Sequence, residues 1–385
     1  MPIFDQGYQH WSGHLSGHAW RWLAITHHGV RIGMKSRWLR FAILFAWLPA
    51  IVLAFMLCVW GLLERKSDYV MPIVNLFAEW GILDQRLVAD PVHYRVEFWT
   101  ICYDYFMLTE LRFSMVLVLL VGPSLISQDL RFNALPLYFS RPLRRIDYFV
   151  GKLGVIAAFL GMVVIVPAVL AYGLGLLFSL DLTIIPDTFR LLISAIAYGL
   201  VISLSAGLFI LALSSLSRNS RYIALFWVGV WFVSSITGVV LESVNRVQRL
   251  QAAMYKTQVS QAAPPSDQGP PRPGERENGR PPAPRQRGLD FEEFEEQEFQ
   301  ASKRDWSLLV SYTANLSRVG QELLGTNSSW ERLSELRPEK DRHRFLLNNA
   351  GPQYPWYWSA AVLAGIFGLS VCILNFRVKS LDRLR

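Results

Sequence analysis

The clearest arrangement of metal-ligating side chains in the sequence is a histidine ladder, His10, His14 and His18, one residue every four. On a helix this spacing stacks three imidazoles on one face, the geometry a metal site needs. Gly13 and Gly17 weaken that helix and no carboxylate or cysteine completes the set, so no metal is assigned. A nucleotide would need a phosphate cradle, and only GVRIGMKS, Gly29 to Ser36, comes near one. Its spacing departs from Gly, four residues, Gly-Lys-Ser/Thr, and it precedes an apolar run instead of following a strand. The three cysteines, Cys58, Cys102 and Cys372, are scattered, with no CxxC pair and no disulfide framework. No Ser/His/Asp grouping, paired-carboxylate site or HExxH motif is present, so the chain reads as a non-catalytic protein.

What those residues are mounted on is more telling. Apolar residues make up 52% of 385, and the remaining charge is gathered into blocks between long uncharged runs, which points to lipid as the solvent. Crossing the hydrocarbon core takes about 20 apolar residues. Six runs approach that length without Asp, Glu, Lys or Arg: Phe41 to Leu63, Phe113 to Ser127, Leu153 to Leu180, Leu191 to Ser217, Tyr222 to Leu241, and Trp356 to Phe376. The second is short unless it extends back through Phe106, which would draw Glu110 and Arg112 toward the membrane, where such groups must pair or snorkel. Pro167 is expected to kink the third. Ala361 with Gly365, and Ala364 with Gly368, suit close packing of the last helix inside the chain.

Basic residues orient the helices. They concentrate in the first 40 residues, between the second and third runs, at Arg218 and Arg221, and in the tail from Arg377, all on one side of a six-helix arrangement. The net charge of +8 is therefore topological, and nucleic acid is not expected as a partner. The expected fold is an all-α integral membrane protein with six transmembrane helices, both termini cytoplasmic, in the cell membrane. Residues 1–40 form a cytoplasmic interfacial segment, 41–241 the first five helices with a cytoplasmic loop at 128–152, 356–376 the sixth helix, and 377–385 a cytoplasmic tail. Between them, 242–355 is a large extracytoplasmic loop. Its stretch AAPPSDQGPPRPGERENGRPPAPRQRG, about 262–288, is expected to be disordered because it has too little apolar surface to bury. LDFEEFEEQEFQ then suits a short amphipathic helix, and WSLLVSYTANLSRVGQELL a helix lying at the outer surface or dipping partway in.

The most informative segment is SQDLRFNALPLYFSRPLRRIDYFVGKL, Ser127 to Leu153. Leu130, Ala134 and Leu137 share one helical face, so a short helix projects where the second span ends; Pro136 limits its length and Pro142 sets a turn. Here the chain resembles the permeases of the ATP-binding-cassette superfamily, specifically the type-2 exporter group. Asp129, Ala134, Leu135, Leu137, Ser140, Arg141, Pro142, Arg145, Gly151 and Lys152 follow that family's order, with Asn133 and Ala134 where it often has a Gly-Thr or Gly-Ser pair.

The resemblance implies a permease subunit that moves a substrate using ATP hydrolysed by a separate ATPase chain, which would hold the ATP and Mg; no cofactor is expected in this chain. The loop looks like a coupling helix seated in a groove of that ATPase. Its candidates for contact are Asp129, Arg131, Arg141 and Arg144, with Leu135 and Leu137 for packing and Pro142 for the turn. The N-terminal segment, with Trp20, Arg21, Trp22 and Arg31, resembles the family's interfacial elbow helix, and a second permease copy or a related chain would complete the pathway. The alternatives are a secondary transporter, which needs ionisable groups near the bilayer midplane, and a membrane scaffold that binds a partner through its outer loop.

Overall fold

The computed structural model describes residues 20–79, 84–139, 143–179, 183–262 and 291–379, and every regular element among them is helical. The histidine ladder and almost all of the Pro-rich stretch 262–288 lie outside the described residues. Helix α1 (Arg21–Gly33) is followed by α2 (Arg37–Ala46) and α3 (Leu48–Glu64), then by short α4 (Met71–Glu79) and α5 (Gln85–Ala89). Next come α6 (Arg95–Arg131), α7 (Leu135–Phe139), α8 (Arg145–Leu160), α9 (Val166–Ser179), α10 (Ile184–Leu216) and α11 (Ser220–Ala262). Finally α12 (Phe291–Ser302), α13 (Tyr312–Leu324), α14 (Thr326–Ser334) and α15 (Glu339–Asn349) precede α16 (Trp356–Lys379).

Among the described residues, six stretches are long and apolar enough to cross a membrane: Arg37–Glu64, Arg95–Arg131, Arg145–Ser179, Ile184–Leu216, Ser220–Tyr255 and Trp356–Arg377. The six apolar runs of the sequence fall one to each. The chain is a multi-pass, all-helical membrane protein. Helices α6 and α10 form the centre, packed on each other and surrounded by α3, α8, α9, α11 and α16. Hydrogen bonds and ion pairs fix which ends meet. Glu64, Arg95, Thr183 and Asp187 join at one end, while Asp129 and Lys152 pair at the other, where Arg377 donates to Leu216 O.

Several elements depart from expectation. The second span reaches back to Arg95 as one helix of 37 residues, so Glu110 and Arg112 both lie inside it. The aromatic run before Phe113 is the buried wall of that helix, with Trp99, Tyr103 and Phe106 in the core, because α3, α9 and α10 cover it. The break in the third span is a π turn, Gly161–Ile165, with Pro167 just beyond it. Proline lacks an N–H and leaves a carbonyl one turn earlier without its usual donor; a widened turn next to it is one way the helix accommodates this. Helix α11 continues past Leu241, where the apolar run ends, to Ala262, so residues expected in a loop prolong the helix. A Cβ added at Gly365 or Gly368 would meet nothing within 4 Å, and Ala361 and Ala364 are exposed, so these small residues do not pack inside the chain.

The segment from Trp306 to Leu324 enters the bundle. A 3-10 turn, Ser307–Val310, runs along α11; Ser311 caps α13, accepting from Ala314 N, and α13 then runs between α6, α10, α11 and α16. Tyr312 is buried against Phe209 and Trp227, with its hydroxyl 2.9 Å from Ser205 Oγ. Gly325, at φ 75°, ends α13 in the left-handed conformation glycine favours. Beyond it Thr326 donates to Asp104, and Arg332 pairs with Glu97 at 2.7 Å, so this segment is fastened to α6 by two polar contacts.

Candidate functional site

The end of the bundle bearing α7 gathers most of the residues singled out in the sequence. Helix α6 carries Pro123 in its interior, and the Ser214 hydroxyl of α10 enters its backbone ladder there. It donates to Pro123 O and accepts from the N–H groups of Ile126 and Ser127 at 3.1 and 3.0 Å. Less than two turns later α6 delivers Asp129. Phe132 N donates to Gln128 O, Ala134 N to Asp129 O, and Asn133 takes φ 51°, a left-handed position asparagine tolerates. The chain thus reverses into α7 within three residues. Pro136 stands in the first turn of α7, where a missing N–H costs no hydrogen bond.

Asp129 holds this turn against α8. Its carboxylate receives Lys152 Nζ and the Tyr148 hydroxyl, each at 2.7 Å. Lys152 also lies over the rings of Tyr148 and Tyr138, at 5.5 and 5.9 Å, and the two rings are 5.4 Å apart. A carboxylate from α6, a cation and a phenol from α8, and an aromatic ring from α7 therefore form one clamp. Tyr148 and Tyr138 were not singled out in the sequence. The available signal was spacing: Tyr148 and Lys152 are four apart, hence on one face of α8.

The other candidates divide by exposure. Leu135 is buried and packs α7 down, whereas Arg131 and Arg144 are exposed, Arg131 lying 5.6 Å from the Phe132 ring. Arg144 caps α8, its N–H donating to Asp147. Leu137 belongs to α7, its side chain outside the described residues; Arg141 and Pro142 lie outside them entirely.

Helix α1 packs along the start of α8 in very close approach. Cβ atoms added at Gly151 and Gly154 would overlap Ile25 and Thr26, and those added at Gly29 and Gly33 would overlap Val155 and Phe159. Thr26 Oγ1 donates to Gly151 O at 3.0 Å, crossing the seam. Trp20 and Arg31 are exposed, while Arg21 and Trp22 are half-buried. Between α1, the end of α6 and the clamp lies a cleft of about 510 Å³, lined by His28, Gln128, Asp129, Tyr138 and Lys152 among others. Among the described residues no cluster of three metal-ligating side chains occurs.

A second polar feature lies inside α6. Glu110 is fully buried and, among the described residues, neither carboxylate oxygen has a hydrogen-bond partner; one turn on, the Ser114 hydroxyl also has none among them. Chemically, the α7 end offers a rigid, exposed, basic projection, and the interior offers an isolated carboxyl. No family model, no curated protein and no solved structure matches this chain.

Proposed function

We propose that this chain is the membrane-spanning permease subunit of an ATP-binding-cassette exporter, driven by an ATPase on a separate polypeptide. The observation that carries the reading is the α7 clamp. A five-residue helix, α7, lays its Tyr138 ring against Tyr148 and Lys152 of α8, which in turn hold Asp129 of α6, so a push on α7 reaches the ends of two membrane-length helices through this one cluster. Asp129 acts as the positioning residue, and the exposed Arg131 and Arg144 are the cations an acidic groove on the ATPase would meet. The distribution of basic residues puts α7, α1 and both termini in the cytoplasm and α12–α15 outside. One six-helix unit is half of such a transporter, so a second copy or a related permease completes the path, and ATP and Mg belong to the ATPase.

The test is co-purification. The double variant Arg131→Glu, Arg144→Glu leaves the internal clamp intact and is expected to insert normally while losing at least about tenfold of the co-purified ATPase, the loss that about 1.4 kcal/mol of contact gives. Undiminished association in that variant sinks the reading. A secondary transporter is the other reading, and Glu110 is the observation that favours it. Proton-coupled transport by the chain alone, abolished by Glu110→Gln, would establish it.

A further inference from the structure

Arg112 lies inside the second span yet faces outward, into a groove of about 540 Å³ between α6, α11 and α13. Among the described residues no hydrogen bond or ion pair engages its guanidinium. Its depth follows from its neighbours. Helix α10 runs beside α6 in the same direction, with Thr183 at Arg95 and Ser214 at Ser127, and a three-residue turn then sends α11 back the other way. The Trp227 indole N–H donates to Met115 O at 3.1 Å, so Arg112, one turn before Met115, is level with Trp231. Trp231 is the middle of the apolar run Tyr222 to Leu241, about 15 Å from either end. Arg112 is thus held at mid-span, and the groove runs from it toward Val240. Phe232, Ile236, Val239 and Val240 line the α11 wall and are each more than half exposed, so the groove opens sideways to lipid. The hydroxyls of Ser235, Thr313 and Ser311 bond one another, whereas that of Ser317 is unengaged among the described residues.

An unpaired cation at this depth is costly, because snorkelling relieves residues near helix ends and the headgroups here are about 15 Å away. What relieves it is an anion at the same depth. Phospholipid headgroups stay at the membrane boundary, so the anion must be carried to mid-span on a backbone that crosses the membrane. A carboxylate suits, since a guanidinium takes it through two parallel hydrogen bonds. A second copy of this chain cannot supply one: the six apolar runs hold no Asp or Glu, and Asp104 and Glu110 on α6 are buried. We infer that the groove receives a transmembrane helix of a different membrane protein, one carrying an Asp or Glu at its midpoint. That carboxylate pairs with Arg112, Ser317 supplies a further donor, and apolar residues on the same face of the incoming helix pack along Phe232 to Val240. The pairing is independent of whether an ATPase drives the chain.

The probe is a synthetic transmembrane peptide of Leu and Ala with Lys at both ends and Glu at its centre, beside a matched peptide with Gln there. The full-length chain, donor-labelled in phosphatidylcholine vesicles, is titrated with each acceptor-labelled peptide and energy transfer is read. The Glu peptide is expected to reach half-saturation at about one tenth the membrane density of the Gln peptide, a difference of about 1.4 kcal/mol. Arg112→Gln should make the two peptides equal, and Arg112→Glu should reverse the preference toward a peptide with Lys at its centre. Ile236→Trp, which fills the groove with Arg112 intact, should weaken the Glu peptide about tenfold, and this covers the case in which the Arg112 variants fail to fold. Equal binding of the Glu and Gln peptides by the wild-type chain, or an undiminished preference in Ile236→Trp, overturns the proposal. Loss of the preference when phosphatidylglycerol replaces phosphatidylcholine would assign the groove to lipid and overturns it too. So does energy transfer between two labelled copies of the chain that Ile236→Trp abolishes, which would place a second copy there.

Discussion

At the scale of single residues, charges near the ends of the spans are held in pairs. Arg95 is buried and bidentate to Glu64 at 2.7 and 2.9 Å, and also meets Thr183 and Asp187, so one guanidinium joins the first, second and fourth spans. Removing one member of such a pair typically costs about 3–5 kcal/mol, because the other charge is left buried alone. Asp305 makes the corresponding anchor where the turn before α13 meets α11. Burial alone would raise its carboxyl, but hydrogen bonds from Ser307, Arg249 and Asn245 outweigh that and hold it below the ordinary carboxylate value. The folded state therefore keeps Asp305 ionised at a pH where the unfolded chain binds a proton. Its contribution is complete above the unfolded carboxylate value and is lost as pH falls through the lower folded value. Thermal midpoints followed downward from neutral pH should fall in that acid window for the wild-type chain and fall less steeply for Asp305→Asn. Identical slopes would show that Asp305 is not held in its ionised form by folding.

At the scale of elements, α13 decides how the segment between α11 and α16 meets the spans. Gly320 lets it approach, since a Cβ there would overlap the Tyr198 ring, which is itself buried on α10. Gly320→Leu is expected to destabilise by about 1–3 kcal/mol, the usual cost of forcing volume into a packed seam. Gly365→Leu on α16 supplies the comparison, because its new side chain enters open space and should stay within about 0.5 kcal/mol of wild type. Unfolding followed by tryptophan fluorescence in detergent separates the two, and equal effects would mean that α13 does not sit against α10. The run WSLLVSYTANLSRVGQELL, read as a helix dipping partway in, carried part of this in the sequence. It did not reveal that the chain breaks at Ser311, or that Tyr312 reaches Ser205, because both depend on a groove built by distant helices.

At the scale of the whole molecule, contacts between helix ends gather α1, the start of α8, the end of α10 and the end of α16 at one end of the bundle, the one with α7. If the basic residues orient the bundle, that end is cytoplasmic. In a background lacking Cys58, Cys102 and Cys372, a cysteine at the exposed Arg304 should react with a membrane-impermeant maleimide added outside. Labelling from the cytoplasmic face alone would invert the assignment. The number of spans, their approximate centres and the helical class were legible from the sequence by itself, because hydrocarbon demands long uncharged runs whatever the packing. That a short helix follows the second span was legible as well, since the charges after Ser127 end the apolar run locally. Where α6 begins and α11 ends was decided by tertiary structure, because neighbouring helices bury polar and aromatic residues that composition alone assigns to loops. The same holds for the roles of two neighbours on α6: only packing turns Glu110 inward to an unpartnered core position and Arg112 outward to the groove.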